Sequence, residues 1–593
     1  MNELNYPFDP KYLISHEKKL RRLLKADGVK RIPKRIAILG GSTTHDLMLM
    51  LELFLLNYGI EPEFYESEYN QYYEDGMFPN PALEKFRPDV IWIHTTNRNI
   101  TAFPSLKSST EEIDSLYKAE LDKFTGLWKR LSEIYNCPIV QNNFEPPFYR
   151  LMGNRDISDP HGAGNFINRL NTAFYRYASE HENFHICDIA YLAADYGLKE
   201  WSDPYYWYLY KYALNLYAIP SLSFQVANIV KAIFGKNKKG FVLDLDNTLW
   251  GGVVGDDGPE GLELGPEEAV GAAYLEFQRY LKAHTELGIL LNVDSKNDSE
   301  NALAGLNHPD GALKPEDFIE IVANWESKDR NLAKIAEELS LMPESLVFVD
   351  DNPAERAIVK QSFPEVSVPE IGEVRDYILT LDRSGFFECT SLSGDDMARN
   401  EMYRANAKRA AVAKEFSDYR EYLLSLEMEA VIRPFEQMYF SRIAQLSNKS
   451  NQFNLTTKRF TVEEIVAAHE DPDRIDLYGR LMDRFGDNGV VSIVIGRIEE
   501  GVCHIELWLM SCRVLKRDME FAMMDALAGK CLERGIREIR GYYYPTEKNK
   551  MVRDFYALQG FEKLSEDEAG NTVWSLSLSE GYSRKNTVIK TES

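Results

Sequence analysis

Residues 241–250 read Phe-Val-Leu-Asp-Leu-Asp-Asn-Thr-Leu-Trp, and this stretch decides how the centre of the chain folds. Its apolar start, residues 241–243, is typical of a buried parallel strand, and Asp244 and Asp246 follow where that strand should end. Residues two apart on an extended strand share a face, and two buried carboxylates are costly unless a cation or a reaction uses them. The simplest explanation is that the two carboxylates bind a magnesium ion beside a phosphate group.

The size and charge of the chain limit its class. A chain of 593 residues is too long to fold around a single hydrophobic core, so we expect two to four domains. The net charge of −25 is spread along the sequence and argues against a nucleic-acid partner, because duplex binding needs a concentrated basic face. Six scattered cysteines without a Cys-x-x-Cys pair argue against a zinc site or a disulfide framework and predict a cytoplasmic protein. No apolar stretch approaches about 20 residues, and the start has no signal-peptide pattern, so no membrane association is expected.

The first two regions share a strand–helix rhythm that is typical of α/β domains. Residues 1–235 are predicted to form one such domain with a parallel sheet, in which a helix spans 42–58. Its predicted strands are 35–41, 90–94, 138–141 and 185–189. Residues 238–385 are predicted to form the second, with strands at 241–245, 288–294, 318–322 and 346–350.

The remainder of the chain has a different pattern. A polar helical connector is predicted over 386–427, and an α+β domain over 428–582. Residues 583–593 are predicted to be a disordered tail. Within the α+β domain the predicted elements are an antiparallel pair at 490–498 and 504–510, a helix at 517–534 and a strand at 538–544.

Four polar elements follow the four predicted strands of the central domain. In chain order they are Asp244-x-Asp246-x-Thr248, Ser295, Lys328 and Asp350-Asp351. Ligands of open α/β sheets bind at the carboxyl ends of the strands, so these elements are predicted to converge. They supply a nucleophile, a proton donor, phosphate donors and metal ligands, which phosphoryl transfer needs. Each element alone is more typical of a solvated turn or a helix cap, and their joint occurrence favours catalysis, with a degenerate copy as the alternative.

This quartet resembles the haloacid dehalogenase (HAD) superfamily of phosphotransferases. The resemblance implies that Asp244 is the nucleophile of an aspartyl-phosphate and that Asp246 is the general acid and base. It also implies that Mg²⁺ binds Asp244, the main-chain oxygen of Asp246, and Asp350 or Asp351. Thr248 would orient Asp246, and the phosphate and substrate would be held by Ser295, Lys296, Asn297 and Lys328.

The central segment is also similar to the FkbH-like branch of that superfamily. The marks are residues 243–253, 295–298 and 348–356, which include Leu-Asp-Leu-Asp-Asn-Thr-Leu-Trp-Gly-Gly-Val and Phe-Val-Asp-Asp-Asn-Pro-Ala-Glu-Arg. The short gaps between motifs exclude a large cap domain, and residues 251–265 suffice only for a small flap. Some FkbH-like proteins load a glyceryl unit onto an acyl carrier protein with a cysteine before the motif serine. Asp294 stands there, which favours phosphate hydrolysis and predicts that Asp294 shapes the pocket rim.

The N-terminal domain resembles the SGNH-hydrolase fold. Gly40-Gly41-Ser42 occupies the nucleophile turn of that family, and Asn97 matches a later asparagine. The closing Asp-x-x-His is replaced by Asp203 and Tyr206, so Ser42 lacks a base and is interpreted as a turn or cap residue. His45 and His94 are interpreted as structural. The aromatic cluster Tyr205, Tyr206, Trp207, Tyr208 and Tyr210 is predicted to pack in the core or between domains, with substrate contact as the alternative.

The C-terminal domain resembles the GNAT acyltransferase fold through residues 555–561, Phe-Tyr-Ala-Leu-Gln-Gly-Phe. Lys516 and Asp518 stand where its pyrophosphate loop has glycines, which argues against coenzyme A binding. The polar stretch 448–457 is interpreted either as the lining of a ligand cleft or as a hydrogen-bonded loop. Cys512 is interpreted as a buried inert thiol, with a reactive thiol beside Arg513 as the alternative.

Together these features predict three α/β-class domains: a flavodoxin/SGNH-like domain, a Rossmannoid HAD core with a minimal cap, and a GNAT-like α+β domain. The predicted activity is a Mg²⁺-dependent phosphatase that acts on a small phosphorylated metabolite, a sugar or three-carbon-acid phosphate. The alternatives are glyceryl transfer from a bisphosphoglycerate to an acyl carrier protein, which would then be a partner, and a non-catalytic interaction protein.

Overall fold

The computed structural model describes residues 1–579 and 581–592. The chain divides into two compact units, each with its own core. The first contains residues 1–237 together with 382–391, and the second contains 238–381 together with the described residues from 392 onward. The second unit holds two sheets, so the described residues form three sheets, one for each predicted α/β-class domain.

The first unit is built on a five-stranded parallel sheet with the order β2-β1-β3-β4-β5. This is the flavodoxin-like order, so the predicted fold class is confirmed. The strands are β1 (Ile32–Gly40), β2 (Ile60–Glu66), β3 (Val90–His94), β4 (Ile139–Asn142) and β5 (Phe184–Cys187). The helices are α1 (Pro10–Ala26), α2 (His45–Asn57), α3 (Tyr72–Met77), α4 (Pro81–Phe86), α5 (Thr110–Tyr135), α6 (Ala163–Glu180), α7 (Ile189–Tyr196), α8 (Leu198–Trp201), α9 (Pro204–Tyr210) and α10 (Ile219–Ile233).

Apolar helices cover the two faces of this sheet. Helix α2 and helix α10 pack together on one face, and the aromatic side chains Phe124, Trp128 and Phe174 fill the core of the other. Among the described residues, the segment Leu216–Ile233 has the length and apolar composition of a membrane span, but 72% of it is buried inside the protein. It therefore serves as a core helix.

The central domain, in the second unit, has a four-stranded parallel sheet with the order β8-β7-β6-β9. The strands are β6 (Gly240–Leu243), β7 (Leu290–Ser295), β8 (Glu320–Ala323) and β9 (Leu346–Val349). The helices are α11 (Val254–Asp257), α12 (Ala269–Glu286), α13 (Ser299–Leu306), α14 (Lys328–Glu338), α15 (Pro353–Ser362) and α16 (Val374–Arg383). A short flap follows β6, where Gly251 pairs with Glu263 around α11, and it forms the predicted minimal cap.

The chain returns to the first unit immediately after the central domain. Within the segment Asp382–Ser391, Arg383 forms an ion pair with Asp195 at 2.8 Å, and Gln225 donates a hydrogen bond to Glu388 at 3.0 Å. The connector helices of the second unit follow this segment. They are α17 (Gly394–Met397), α18 (Arg399–Ala413) and α19 (Tyr419–Ser425).

The C-terminal domain is built on a mixed nine-stranded sheet. Its main path is β16-β17-β15-β14-β13-β12-β10-β18, and β11 pairs with β14 beside this path. The strands are β10 (Glu429–Arg433), β11 (Phe453–Asn454), β12 (Arg474–Asp483), β13 (Gly486–Glu499), β14 (Val502–Met510), β15 (Glu538–Tyr543), β16 (Glu562–Glu566), β17 (Thr572–Ser577) and β18 (Lys590–Glu592). The helices are α20 (Phe440–Lys449), α21 (Val462–Glu470), α22 (Met519–Glu533) and α23 (Phe555–Leu558). The predicted antiparallel pair is β13 and β14, and the predicted α+β architecture is confirmed.

The predicted disorder of residues 583–593 is wrong for the part that the structure describes, which ends at residue 592. Strand β18 pairs in parallel with β10, and the preceding Val588 and Ile589 are buried in the C-terminal core. These two β-branched residues stand alone in a polar sequence, so no periodic pattern marked them as part of a strand.

Removal of residues 588–593 is expected to destabilise the C-terminal domain by about 3 kcal/mol, because two buried apolar side chains and a strand pairing are lost. Chemical denaturation followed by tryptophan fluorescence measures the change. The exposed Glu592→Ala variant is the control and is expected to match the wild type. An unchanged unfolding midpoint in the truncated chain contradicts the packing seen for Val588 and Ile589.

Candidate active site

The four predicted motifs converge at the carboxyl edge of the central sheet. Asp244 directly follows β6, Ser295 ends β7, Lys328 begins α14 after β8, and Asp350 follows β9. Because all four strands are parallel, these positions lie at the same edge. The structure therefore brings the predicted quartet together.

Lys328 holds the centre of this site. Its ammonium group lies 2.6 Å from Asp244 Oδ1 and 3.0 Å from Asp350 Oδ2, and it donates to the main-chain oxygen of Asp294 at 2.6 Å. The side chain is only 2% exposed. Burial lowers the pKa of Lys328, but the carboxylates of Asp244 and Asp350 outweigh it and the pKa is raised, so the lysine is fully charged.

Three carboxylates form a cluster beside this lysine. Oxygen atoms of Asp244, Asp350 and Asp351 lie within 4.8 Å of one another. Burial raises the pKa of Asp350 to about 6, although Lys328 opposes the shift, and burial together with Asp244 raises the pKa of Asp351. One ammonium group cannot neutralise three clustered acids, and hard oxygen ligands are those that Mg²⁺ prefers. The cluster fits a divalent cation, and the predicted fourth ligand, Asp246, is not a side-chain member of it.

The Asp246 carboxylate is fixed by three donors in the flap and on the neighbouring loop. Its Oδ1 accepts from the Trp250 indole at 2.9 Å and from the Val254 amide at 3.0 Å, and its Oδ2 accepts from Asn297 at 3.0 Å. Burial raises the pKa of Asp246. A carboxyl group held in one orientation with a raised pKa is suited to proton transfer. Asn297, predicted as a substrate ligand, here positions this acid.

Thr248 is buried and connects two loops. Its hydroxyl accepts from the Asp351 amide at 3.2 Å, so the bond that the structure shows runs to the second acidic loop and not to Asp246. Between Asp246 and Thr248, Asn247 has a left-handed φ of 57°, and its carbonyl accepts from the hydroxyls of Tyr274 and Tyr377 at 3.2 Å each. These contacts fix the turn that carries both aspartates.

The two remaining predicted substrate ligands differ in their surroundings. Ser295 is buried at the end of β7, at the same edge of the sheet as the other three elements of the quartet. Lys296 is partly exposed and its ammonium group lies 2.6 Å from Glu355 on α15. The charge of Lys296 is therefore already paired with a carboxylate, and Ser295 is the better placed of the two.

Asp294 does not form the pocket rim, which corrects the sequence-based interpretation. It is fully buried, Oδ1 accepts from Asn331 on α14 at 3.0 Å, and Oδ2 has no hydrogen-bond partner among the described residues. Successive strand residues point to opposite faces, so Asp294 points away from the face that Ser295 presents. Burial raises the pKa of Asp294 to about 7 against the opposing effect of Lys328.

Two supporting residues were missed by the sequence analysis. Arg356 donates at 2.7 Å to the main-chain oxygens of both Asp350 and Asp351, and Trp250 binds Asp246. Both lie within segments that mark the FkbH-like resemblance, at residues 348–356 and 243–253. Their place in those segments was a signal for a role near the site, but the partner atoms depend on the folded loops.

In the first unit, Ser42 contacts a histidine that cannot serve as its base. Trp92 donates its indole N–H to Asn142 Oδ1 at 2.9 Å, so the amide nitrogen of Asn142 faces His94 Nδ1 at 2.9 Å. Nδ1 must then accept, and Nε2 carries the proton and donates to Ser42 Oγ at 3.0 Å. Burial also lowers the pKa of His94 to about 3. Ser42 lies in the turn before α2, whose N-cap is Thr44.

The other N-terminal candidates are structural or exposed. Asn97 donates to the main-chain oxygens of Glu145 and Pro146 at 3.3 and 3.1 Å, and Asp203 caps α9. His45 lies 3.2 Å from Glu66. The prediction that the aromatic cluster packs in the core is wrong, because α9, which carries it, buries no residue. The exposed members include Tyr205, Tyr208 and Tyr210.

The polar stretch 448–457 of the C-terminal domain is inserted between two strands. The Leu455 amide donates to the Trp508 carbonyl of β14 at 3.0 Å, and the Leu455 carbonyl accepts from the Tyr544 amide at 2.9 Å. Asn549 also donates to the Asn454 carbonyl at 2.9 Å. The hydrogen-bonded interpretation is therefore confirmed, and this stretch fills the gap between β14 and the end of β15.

The loop before α22 is occupied by the chain's own side chains. Lys516 and Asp518 have left-handed φ values of 63° and 61°, although both carry side chains. Arg517 is buried and binds Asp483 and Asn488 at 3.3 and 3.2 Å. Cys512 is half-buried, with its sulfur 3.7 Å from the Tyr403 hydroxyl.

Comparison with known proteins was made by sequence and by structure. The family model described as the FkbH N-terminal domain matches residues 35–231. The crystal structure of the N-terminal part of a Bacteroides fragilis protein, containing a phosphatase domain complexed with Mg, is 31% identical with a TM-score of 0.59 and covers 63% of this chain and 99% of that one. A search of curated proteins finds no match.

Two acetyltransferase-class structures match at low identity. The ribosomal-protein-S18-alanine N-acetyltransferase of Escherichia coli is 10% identical, covers 27% of this chain and 98% of its own, and has a TM-score of 0.21. Ard1 of Thermoplasma volcanium is 18% identical, covers 25% and 97%, and has a TM-score of 0.20.

Asp294→Asn is expected to stabilise the metal-free protein at pH 8 by on the order of 3 kcal/mol, with a smaller gain at pH 5. The folded pKa of about 7 lies above the unfolded value of about 3.9, so the native state binds an extra proton between them and stability falls as the pH rises through this window. Urea denaturation in EDTA measures the effect. The exposed Asp256→Asn is the matched control, and an equal gain at both pH values contradicts the argument.

Ser42 is expected to resist a fluorophosphonate probe, because its hydroxyl accepts a hydrogen bond from His94 Nε2–H and has no base to activate it. Intact mass measurement of the full chain after incubation with the probe is the test. A serine hydrolase of known activity, labelled in the same tube, verifies that the reagent is competent. A covalent adduct located on Ser42 would show that this interpretation is wrong.

Proposed function

The chain belongs to the FkbH-like family of the HAD superfamily, and we propose that its central domain is a Mg²⁺-dependent phosphatase that acts on a small phosphorylated metabolite. The observation that carries this proposal is the shared contact of Lys328 with Asp244 and Asp350 beside Asp351. The Bacteroides fragilis relative, whose phosphatase domain was crystallised with Mg, supports it.

In the first step the Asp244 carboxylate attacks phosphorus and the bond to the leaving oxygen breaks. Asp246 donates its proton to that oxygen, so the leaving group departs as an alcohol and Asp244 carries an acyl phosphate. The raised pKa of Asp246 favours the protonated form that this step needs. Trp250, Val254 and Asn297 hold the carboxyl group in one orientation.

In the second step a water molecule hydrolyses the aspartyl-phosphate. Asp246, now ionised, accepts a proton from that water, which attacks phosphorus and releases inorganic phosphate, and Asp244 is restored. In both steps Lys328 neutralises charge on the phosphoryl oxygens, and the Ser295 hydroxyl orients them. A magnesium ion on Asp244, Asp350 and Asp351 would supply further charge stabilisation of the phosphoryl group when bound.

The substrate class is proposed as a sugar or three-carbon-acid phosphate, on family analogy. The small flap leaves the site open to the rest of the substrate. At the same edge of the sheet, Trp325 follows β8 with its indole largely exposed and hydrogen-bonded to Asp298 at 2.9 Å. An anchored, exposed indole face favours a substrate whose carbon skeleton extends beyond the phosphate group over the smallest phosphate monoesters.

Glyceryl transfer to an acyl carrier protein gains no support from the position before Ser295. Asp294 is a carboxylate, it is fully buried, and it accepts a hydrogen bond from Asn331 on α14. It therefore offers neither a thiol nor an accessible nucleophile. Intact mass measurement of a carrier protein incubated with this chain and a bisphosphorylated three-carbon acid distinguishes the two activities.

Asp244→Asn is expected to lower phosphate release by more than about a thousandfold, because the amide cannot form the acyl phosphate. A phosphate-release screen over sugar and three-carbon-acid phosphates with Mg²⁺, repeated with EDTA, is the measurement. EDTA is expected to abolish release by the wild type.

The exposed Asp256→Asn variant makes the same chemical change outside the quartet and is expected to retain full activity. Circular dichroism and the unfolding midpoint verify that Asp244→Asn is folded. Wild-type turnover by Asp244→Asn would contradict the mechanism, provided that mass measurement shows no deamidation of the asparagine to aspartate. The absence of phosphate release from every substrate by the wild type would favour the non-catalytic alternative.

A further inference from the structure

The first unit contains a cavity of about 290 Å³ at the carboxyl ends of β3 and β4. Asn97 and Arg98 line it from the loop after β3, and Glu145 and Phe148 line it from the loop after β4. Trp201 at the end of α8 is part of the opposite wall. The volume is close to the lower limit for small-molecule pockets, and ligands of open parallel sheets bind at this edge.

Arg98 is positioned to bind an anion. Its guanidinium group stacks over the Trp207 ring at 4.4 Å from the centroid, and within residues 1–579 and 581–592 no carboxylate pairs with it. Burial lowers the pKa of Arg98 without removing its charge. A stacked planar guanidinium whose N–H donors are not engaged is matched to the two oxygens of a carboxylate.

Glu145 shares this cavity without pairing with Arg98. The side chain is 4% exposed, its Oε2 accepts from the Asn97 amide at 3.2 Å, and no cation of the described chain lies within ion-pair distance. Burial raises the pKa of Glu145 to about 7. A buried carboxyl group that is half protonated near neutral pH can both donate to and accept from a hydroxyl group.

Trp201 provides a third polar group. The side chain is 1% exposed, and its indole N–H has no hydrogen-bond partner among the residues that the structure describes. A buried donor without an acceptor is destabilising.

We propose that this cavity is a recognition site for a small hydroxy carboxylate, in which Arg98 binds the carboxylate group and Glu145 binds a hydroxyl group. Its residues belong to the first unit, whereas the phosphoryl-transfer residues belong to the second. It binds without cleaving, because Ser42 has no base and does not line the cavity.

Calorimetric titration of the full chain with gluconate and with lactate tests the proposal. Sorbitol and propane-1,2-diol are the matched neutral probes, since each has a hydroxymethyl group in place of the carboxylate. We expect at least one carboxylate to bind at millimolar concentration or below while its neutral partner does not. Probes without phosphate are used so that the phosphoryl-transfer site does not contribute.

Arg98→Ala is expected to weaken binding by at least about tenfold, and Arg98→Lys to restore part of it, because lysine keeps the charge but loses the planar fork. Arg176→Ala is the matched control, since Arg176 is exposed on α6 and does not line the cavity. Phosphate release is expected to be unchanged in all three variants. Failure of both carboxylates to bind the wild type, or equal binding by Arg98→Ala, overturns the proposal.

Discussion

The contact of one buried lysine with two aspartates is the constraint on which the central domain depends. Lys328 brings the loops after β6 and β9 together by neutralising part of the charge of Asp244 and Asp350. Without that ammonium group, the clustered and largely buried carboxylates would repel one another. The same contact leaves negative charge in excess, so the arrangement that stabilises the loops also suits a divalent cation.

The two parallel sheets of the chain use the same topological edge in different ways. In the central domain the edge carries acids around a lysine, whereas in the first unit it carries a serine, a histidine and an asparagine. The indole of Trp92 fixes the tautomer of His94 through Asn142, so a geometry that resembles a catalytic pair has the proton on the wrong nitrogen. Proximity alone therefore does not define a nucleophile in this fold.

Much of the fold followed from the sequence, because apolar runs bounded by polar turns mark buried parallel strands. Strand β3 and the strand before Asp244 are examples. Strand β2 was missed because it is an edge strand with alternating glutamates and Pro62. The convergence of the quartet was predictable from strand order. Three features could not be predicted: the inward direction of Asp294, the Ser42–His94 contact and the Arg98 cavity. They depend on the direction in which side chains point and on residues distant in sequence.

The return of residues 382–391 to the first unit also bears on how the chain can be divided. The polypeptide passes between the two units three times, at 237/238, 381/382 and 391/392. A gene fragment that stops at residue 381 would leave Asp195 without Arg383 and Gln225 without Glu388. The natural modular boundary of the first two domains is therefore residue 391, and recombination or fusion upstream of it would separate the first unit from part of its own structure.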